Sequence, residues 1–250
     1  MYLIVIKLKR KIFFLINKLL SIFNLELKEK HYSNEKILSF LIKNQKPIIF
    51  DIGANIGQSI EKYRKLFTKS IIYSFEPSPE IYKILKKKFI DNEEIYIINQ
   101  AIGSEESEQE FFINERSHNS GFFQLEDGFK PKNFPDEKME YINKIKIKKN
   151  TIDNFVDENS ISRIDVLKID TEGFEEEVLK GARKSFANKI INFIELELII
   201  GNVYKNKSFS FYDLESKINS FGFKLYSISK SGNLFQSKYL TLNLLYKRYE

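Results

Sequence analysis

The chain of 250 residues contains no cysteine and no tryptophan, and it has only two histidines. Without cysteine there can be no disulfide bond, no thiolate zinc site and no cysteine nucleophile, which is consistent with a reducing compartment. No uninterrupted apolar run approaches the ~20 residues that a membrane-spanning helix needs, and the N-terminus lacks the pattern of a signal peptide. The length predicts one domain with a large single core.

The positive charge of the chain is concentrated at its N-terminus. The 40 basic and 34 acidic residues give a formal net charge of +6, and seven basic but only two acidic side chains lie in residues 1–30. The remaining residues are therefore close to neutral as a group. Because proteins that bind nucleic acid usually carry a basic patch or stripe, we expect no nucleic acid among the partners.

Residues 1–45 are predicted to form a basic, amphipathic helical segment ahead of the main domain, residues 46–250. Its apolar side chains recur at helical spacing, at Leu8, Ile12, Leu15, Ile16, Leu19 and Phe23. The segment could contact the anionic inner face of the cytoplasmic membrane, or it could pack on the body or on a second copy as a dimer. An apolar stripe usually packs against protein, which favours the second interpretation. Either interpretation places the protein in the cytoplasm.

The rest of the chain is organised around KPIIFDIGANIG, residues 46–57. Ile48–Phe50 predict a strand that is covered on both faces, and Asp51 stands where that strand ends. A glycine-rich turn then leads into a helix from Gln58, whose exposed N–H groups favour a polar or negatively charged ligand. This arrangement is typical of nucleotide-binding units. The Gly-x-Gly-x-x-Gly fingerprint of dinucleotide sites is incomplete, because Asn55 replaces its second glycine.

An acidic residue follows the second predicted strand, Ser70–Phe75. In folds of this kind, the acid at this position binds the two ribose hydroxyls, since one carboxylate can accept hydrogen bonds from both. Glu76 is therefore a candidate ribose ligand. A third strand is predicted at Ile95–Ile98, followed by the polar turn at 99–103.

Two further predicted strands carry acids at their carboxyl ends. Ile164–Asp170 contains Lys168, which is costly in an apolar strand unless it has a partner. Ile190–Leu198 brings two glutamates to one side, beside the end of the neighbouring strand. Clustered acids repel unless a cation or protonation relieves them, and hard divalent ions prefer oxygen ligands. The sequence therefore predicts a Mg²⁺, Mn²⁺ or iron site formed by Asp170, Glu195 and Glu197. The alternative is a solvated strand end.

Residues 114–143 form the least regular part of the predicted domain, with two prolines and several aromatic side chains. A loop of this length in a compact domain is usually functional or disordered, and its aromatic content argues against disorder. We predict that it forms a lid over the acceptor. His118 within it could act as a general base near neutral pH, or it could only form hydrogen bonds within the loop.

Five short motifs occur in order along the chain: D-I-G-A-N-I-G at 51–57, F-E-P at 75–77, N-Q-A-I-G at 99–103, T-I-D at 151–153 and L-K-I-D-T-E-G at 167–173. Together they resemble the FkbM family of S-adenosylmethionine-dependent methyltransferases, over about residues 46–200. The resemblance implies an α/β, Rossmann-like class I methyltransferase fold. Such a fold has a mostly parallel seven-stranded sheet, helices on both faces and a C-terminal antiparallel hairpin.

The resemblance also implies S-adenosylmethionine as the cofactor, and it assigns expected positions to three groups of residues. The residues expected around the methionine are Asp51, Gly53, Ala54, Asn55 and Gly57. Glu76 is expected at the ribose, followed by Pro77 and Ser78 as further cofactor-binding residues, and the residues expected to border the adenine are Asn99, Gln100 and Ala101. The candidate catalytic residues are Asp170 as the central acid, with Lys168 or His118 as base. Lys168 would serve only if burial or a nearby cation lowered its pKa.

The expected reaction is O-methylation, because many relatives in this family methylate hydroxyl groups. We expect a small-molecule or glycan acceptor, such as a sugar, a nucleotide-sugar or a surface-glycan precursor of bacterial capsule or polysaccharide biosynthesis. Three alternatives stay open: a nicotinamide-dependent oxidoreductase, a non-enzymatic scaffold of the same fold, and an RNA methyltransferase. The near-neutral body disfavours the last of these.

Overall fold

The computed structural model describes residues 32–114, 120–127, 141–201, 203–205, 210–231 and 239–249. The N-terminal apolar stripe and His118 lie outside these residues. The helices, in chain order, are α1 (Asn34–Leu41), α2 (Gln58–Leu66), α3 (Pro79–Lys88), α4 (Ile152–Glu158), α5 (Glu175–Lys180), α6 (Arg183–Ala187) and α7 (Phe211–Ser220). The strands are β1 (Ile48–Ile52), β2 (Ile71–Phe75), β3 (Ile95–Ile98), β4 (Ala101–Ile102), β5 (Ser107–Asn114), β6 (Tyr141–Asn150), β7 (Ile164–Ile169), β8 (Ile191–Gly201), β9 (Phe223–Ser231) and β10 (Tyr239–Arg248).

The main sheet has seven strands in the order β3-β2-β1-β7-β8-β10-β9. The first five in this order pair in parallel, whereas β10 runs antiparallel to both β8 and β9. The predicted fold class, including the C-terminal hairpin, is therefore confirmed. Strand order reverses between β1 and β7, and ligands bind at such a switch point, beyond the carboxyl ends of the strands.

The central strands are apolar at almost every position because both faces of the sheet are covered. Their fully or nearly fully buried side chains are Ile49, Phe50 and Ile52 in β1 and Val166, Leu167 and Ile169 in β7. These side chains contribute to two hydrophobic clusters, one on each face of the sheet. The rigid centre of the molecule thus lies directly beneath the ends of β1 and β7, where the site residues are found.

A second, three-stranded sheet has the order β4-β6-β5. It pairs β5 with β6 in antiparallel fashion, from Asn114 with Tyr141 to Ser107 with Lys149, which lie 27 and 42 positions apart in the chain. The outward charges of these strands compensate one another, as in the ion pair of Lys144 Nζ with Glu110 Oε1 at 2.7 Å. Inward, Phe111 is buried and faces the cavity described below.

Helix α1 packs into the smaller hydrophobic cluster through Leu38, and Ile42 follows it there. Residues 34–42 of the predicted N-terminal segment thus pack on the body of the protein. The predictions for residues 1–31 stay predictions. None of the helices in the described part of the chain is both long and apolar enough to cross a membrane.

Candidate active site

The turn after β1 brings the backbone of β1 against that of β7. Gly53 has a φ of +84°, and a Cβ placed on it would lie 1.9 Å from the carbonyl oxygen of Asp170. The N–H of Asp170 donates to the carbonyl oxygen of Ile52 at 3.0 Å. Only glycine tolerates both this conformation and this approach, so Gly53 allows the ends of the two strands to meet.

The N–H groups of this turn are used inside the protein. Those of Gly53 and Ala54 both donate to the carbonyl oxygen of Phe75, at 3.1 and 3.0 Å. That of Asn55 donates to Glu76 Oε2 at 2.9 Å. The N–H groups of these three residues are therefore not available to a ligand. The exposed N–H groups expected at the start of the helix from Gln58 are a separate prediction, which these contacts do not test.

Glu76 stands at the tip of β2, lines the cavity and is only 7% exposed. Its two carboxylate oxygens accept one hydrogen bond each from the N–H groups of Asn55, at 2.9 Å, and Ser78, at 2.8 Å. Each oxygen keeps a lone pair that a ribose hydroxyl can use. Burial, opposed in part by these hydrogen bonds, raises the pKa of Glu76 to about 7.

Four predicted cofactor residues do not line the cavity: Asp51, which is described below, and Gly57, Ser78 and Asn99, which support this segment. The Ser78 hydroxyl accepts a hydrogen bond from the first turn of α3. The Asn99 amide donates to the carbonyl oxygens of Glu76 and Pro77, at 2.9 and 3.0 Å. A Cβ at Gly57 would lie 2.7 Å from a ring carbon at the end of α3, so this glycine allows α2 and α3 to pack closely. Their positions explain why sequence motifs include them.

A cavity of roughly 490 Å³ opens at the carboxyl ends of β1, β2 and β7, a size typical of small-molecule sites. Seven predicted cofactor residues line it: Gly53, Ala54, Asn55, Glu76, Pro77, Gln100 and Ala101. Apolar walls come from Ile52, Phe75, Ile102, Phe111 and Phe122. The combination of a buried carboxylate, a glycine turn and apolar walls fits a nucleoside that carries an amino-acid tail.

Lys168 forms ion pairs with two carboxylates beside the cavity. Its Nζ lies 3.2 Å from Asp51 Oδ1 and 3.2 Å from Asp170 Oδ2, while the Ser59 hydroxyl donates to Asp51 Oδ2 at 2.7 Å. Burial acts to lower the pKa of Lys168, but the surrounding carboxylates more than offset it, so the net pKa is raised. The condition under which Lys168 would serve as a base is not met. The structure places it as a cation between two carboxylates.

An acidic cluster borders the other side of the cavity. Asp170, Glu172 and Glu197 each offer a carboxylate oxygen, and these oxygens lie within 4.8 Å of one another. Burial, followed by the neighbouring carboxylates, raises the pKa of Glu172 to about 8 and raises that of Glu197. The Tyr204 hydroxyl donates to Glu172 and holds it in place. Three oxygen donors at this separation fit a hard divalent cation.

The composition of this cluster differs from the prediction at one residue. Glu195 pairs in register with Lys168 of β7. It lies two residues before Glu197 on β8, farther from the carboxyl end of that strand. Its carboxylate accepts a hydrogen bond from the buried hydroxyl of Tyr63, and it does not line the cavity. Glu172 takes its place. The sequence signal for Glu172 was present in the motif at 167–173, but strand alternation does not apply to a turn residue with a φ of +53°.

Of the predicted lid, residues 114–143, residues 120–127 lie at the cavity, whereas residue 114 ends β5 and residues 141–143 begin β6. Gly121 and Phe112 exchange two backbone hydrogen bonds, at 2.8 and 3.1 Å, which attaches this part to β5. Ser120 and Phe122 line the cavity, and the Phe122 ring lies 4.2 Å from that of Phe174. Residues 115–119, which include His118, and 128–140 lie outside the described residues. Closure over an acceptor and a role for His118 stay predictions.

The free energy of unfolding of the ligand-free protein is expected to rise between pH 8 and pH 5.5, by about 2 kcal/mol for each of two buried glutamates. Burial raises the pKa of both Glu76 and Glu195 to about 7, whereas an unfolded glutamate titrates near 4.3. Between these values the folded chain holds protons that the unfolded chain has released, so stability is lost as pH rises through about 7. Urea unfolding at both pH values tests this. Glu195→Gln should reduce the difference between the free energies of unfolding at the two pH values. A protein that is more stable at pH 8 than at pH 5.5 would contradict the prediction.

Comparisons with known proteins agree with this geometry. A model of the methyltransferase FkbM domain matches residues 51–225. The 2-O-methyltransferase NoeI of Sinorhizobium fredii is 22% identical over 148 residues, which are 58% of this chain and 61% of NoeI. The chain thus matches less than two thirds of that relative.

Solved methyltransferase structures also align with the chain. TrmK of M. capricolum, in complex with S-adenosylhomocysteine, gives a TM-score of 0.47 at 13% identity, over 89% of this chain and 70% of that one. The magnesium protoporphyrin IX methyltransferase ChlM of Synechocystis PCC 6803, with bound S-adenosylmethionine, gives a TM-score of 0.47 at 10% identity. The alignment covers 89% of this chain and 87% of ChlM. The domain match spans well over half of the sequence, and it excludes the oxidoreductase alternative. The chain therefore belongs to the FkbM family of S-adenosylmethionine-dependent methyltransferases.

Proposed function

We propose that this protein transfers a methyl group from S-adenosylmethionine to a hydroxyl group of a sugar, a nucleotide-sugar or a surface-glycan precursor. The observation that carries the proposal is a single cavity with two different sides. Glu76 lies on one side, and the carboxylates of Asp170, Glu172 and Glu197 lie on the other. The first side suits a nucleoside donor, and the second suits an acceptor whose proton must be removed.

The donor side is assigned to residues that line the cavity near β1 and β2. Glu76 would bind the ribose, Gln100 and Ala101 would border the adenine, and the turn at Gly53–Asn55 would lie beneath the methionine. The bound donor supplies a methyl group that is already activated for displacement. The protein therefore has to align the acceptor with the methyl group and to remove the proton from the acceptor hydroxyl.

A hydroxyl acceptor needs more help than an amine, because its pKa lies far above 7. The acidic cluster supports this choice, since a carboxylate can accept a proton and three carboxylates can hold a Mg²⁺, Mn²⁺ or iron ion. Such an ion, when bound, would lower the pKa of the acceptor hydroxyl. Lys168, 3.2 Å from Asp170 Oδ2, would keep that carboxylate directed toward the acceptor. His118 remains the second candidate for the base.

The sugar part of the proposal has two supports. The relative NoeI is named as a 2-O-methyltransferase, which favours a hydroxyl acceptor. In addition, Phe111 and Phe122 form an edge-to-face pair with ring centroids 5.3 Å apart, and both line the cavity together with Ser120. Apolar ring surface next to a few polar groups is the usual lining of a small-molecule site. We place the reaction in the cytoplasm, in capsule or polysaccharide synthesis.

The test uses purified protein and S-adenosylmethionine carrying a labelled methyl group. The acceptors are a panel of nucleotide-sugars and glycan precursors, with total RNA as the comparison, each assayed after chelation and after return of Mg²⁺, Mn²⁺ or Fe²⁺. Label in an alkali-stable ether of a sugar, formed only with a divalent ion, is the expected result. Label in RNA alone would contradict the acceptor, and full activity under chelation would contradict the metal site.

Glu76→Gln is expected to weaken binding of S-adenosylhomocysteine by at least tenfold, because hydrogen bonds to charged groups contribute about 1.5–3 kcal/mol each. Glu80→Gln is the matched control, since Glu80 is exposed in the first turn of the neighbouring helix α3. Calorimetric titration of both variants measures the effect. Equal affinities would contradict the assignment of Glu76 to the ribose.

A further inference from the structure

We propose that Lys62 binds the carboxylate group of the donor's methionine, an inference that rests on the proposed methyl donor. Lys62 lies on α2, one turn after Gln58 and Ser59, and all three line the cavity. Helix α2 continues directly from the turn at Gly53–Gly57. Lys62 therefore belongs to the part of the cavity next to this turn, which the methionine would occupy, whereas the carboxylate cluster comes from the residues after β7 and from β8.

The charges around the cavity single out this lysine. Of the described residues that line it, only Lys62 and Lys168 are cationic, whereas four are acidic: Glu76, Asp170, Glu172 and Glu197. Lys168 is largely buried and already lies between two aspartates at 3.2 Å. A ligand carboxylate that entered the cavity would be repelled by these four acidic side chains. Lys62 is the position where its charge would be matched.

Lys62 is also positioned in advance of binding. Its Nζ lies 3.0 Å from Glu35 Oε1, and the lysine side chain is 63% exposed while that of Glu35 is only 12% exposed. The buried partner on α1 fixes the ammonium group at the rim, and its exposed side remains open to a second anion. An ammonium group has three donors, so one carboxylate does not exhaust it. Helix α1 would therefore contribute to donor binding through this ion pair.

The experiment compares two ligands that share the thioadenosine part and differ in the amino-acid chain, which carries the proposed contact. S-adenosylhomocysteine carries the amino-acid carboxylate, and 5′-methylthioadenosine has the same nucleoside and sulfur without it. Both are titrated by calorimetry into the wild-type protein and into Lys62→Gln, Lys62→Arg and Lys65→Gln. Lys65 is exposed on the same helix and does not line the cavity, so its variant controls for lost surface charge.

Lys62→Gln is expected to weaken S-adenosylhomocysteine about tenfold, the factor that corresponds to one charge-assisted hydrogen bond. It should leave 5′-methylthioadenosine unchanged, and Lys62→Arg should restore most of the affinity. Unchanged affinity for S-adenosylhomocysteine, or equal losses for both ligands, would overturn the role of Lys62. Failure of the wild-type protein to bind either ligand would instead overturn the proposed donor.

Discussion

Replacing Asp170 with asparagine is expected to reduce methyl transfer by at least about a hundredfold, within the range seen when a proton-transfer group is removed. Binding of S-adenosylhomocysteine should stay within about threefold of wild type, because the donor contacts come from other residues. Asp170 occupies the centre of the acceptor side. It contributes an oxygen to the acidic cluster, and its second interaction, with Lys168 at 3.2 Å, fixes its direction.

The measurement pairs turnover with donor binding in the same preparation. Asp91→Asn provides the control, because Asp91 is exposed in the turn after α3 and does not line the cavity. The variant leaves Lys168 with only one of its two paired carboxylates. The thermal unfolding temperature of the variant shows whether the protein still folds after this loss. A folded Asp170→Asn protein with full turnover would remove the acidic cluster from the reaction.

Gly53→Ala is expected to destabilise the fold by at least about 3 kcal/mol and to abolish donor binding. The new methyl group would lie 1.9 Å from the carbonyl oxygen of Asp170. This oxygen belongs to the backbone and cannot rotate away, so β1 and β7 would have to separate at the switch point. The same separation would displace Glu76, because the turn donates hydrogen bonds to the end of β2.

Gly222→Ala is a closely matched control for this variant. Gly222 has the same φ of +84°, but the nearest atom to its added Cβ is a side-chain nitrogen of Arg248 at 3.9 Å. It carries the backbone strain of about 1–2 kcal/mol without the clash. Urea unfolding of both variants separates the two contributions. Similar losses of stability in both would mean that the close approach at Gly53 is unimportant.

The central strands and the donor side of the site could be predicted because their signals are local. A continuous apolar run followed by Asp51 and a glycine turn indicates β1, and the acid after the next run indicates Glu76. Two of the three members of the acidic cluster, Asp170 and Glu197, followed from strand alternation. Glu172 did not, because a turn with positive φ redirects its side chain toward the cavity.

Other features depend on contacts between distant parts of the chain. The second sheet pairs β5 with β6, and nothing local to either strand specifies that partner. A Cβ at Gly181 would lie 2.0 Å from the carbonyl oxygen of Gly103, a packing constraint that no motif reveals. The carboxylates that raise the pKa of Lys168 come from three separate parts of the chain, Asp51, Asp170 and Glu195, so the direction of this shift could not be read from the sequence.

Calorimetric titration of the purified protein with S-adenosylmethionine, before and after chelator treatment, tests the central claim most directly. The account predicts micromolar binding of one donor molecule per chain, unaffected by the chelator, because the donor contacts do not include the acidic cluster. Turnover on the acceptor should then require return of the divalent ion. Absence of binding under both conditions would contradict the assignment of this cavity to the methyl donor.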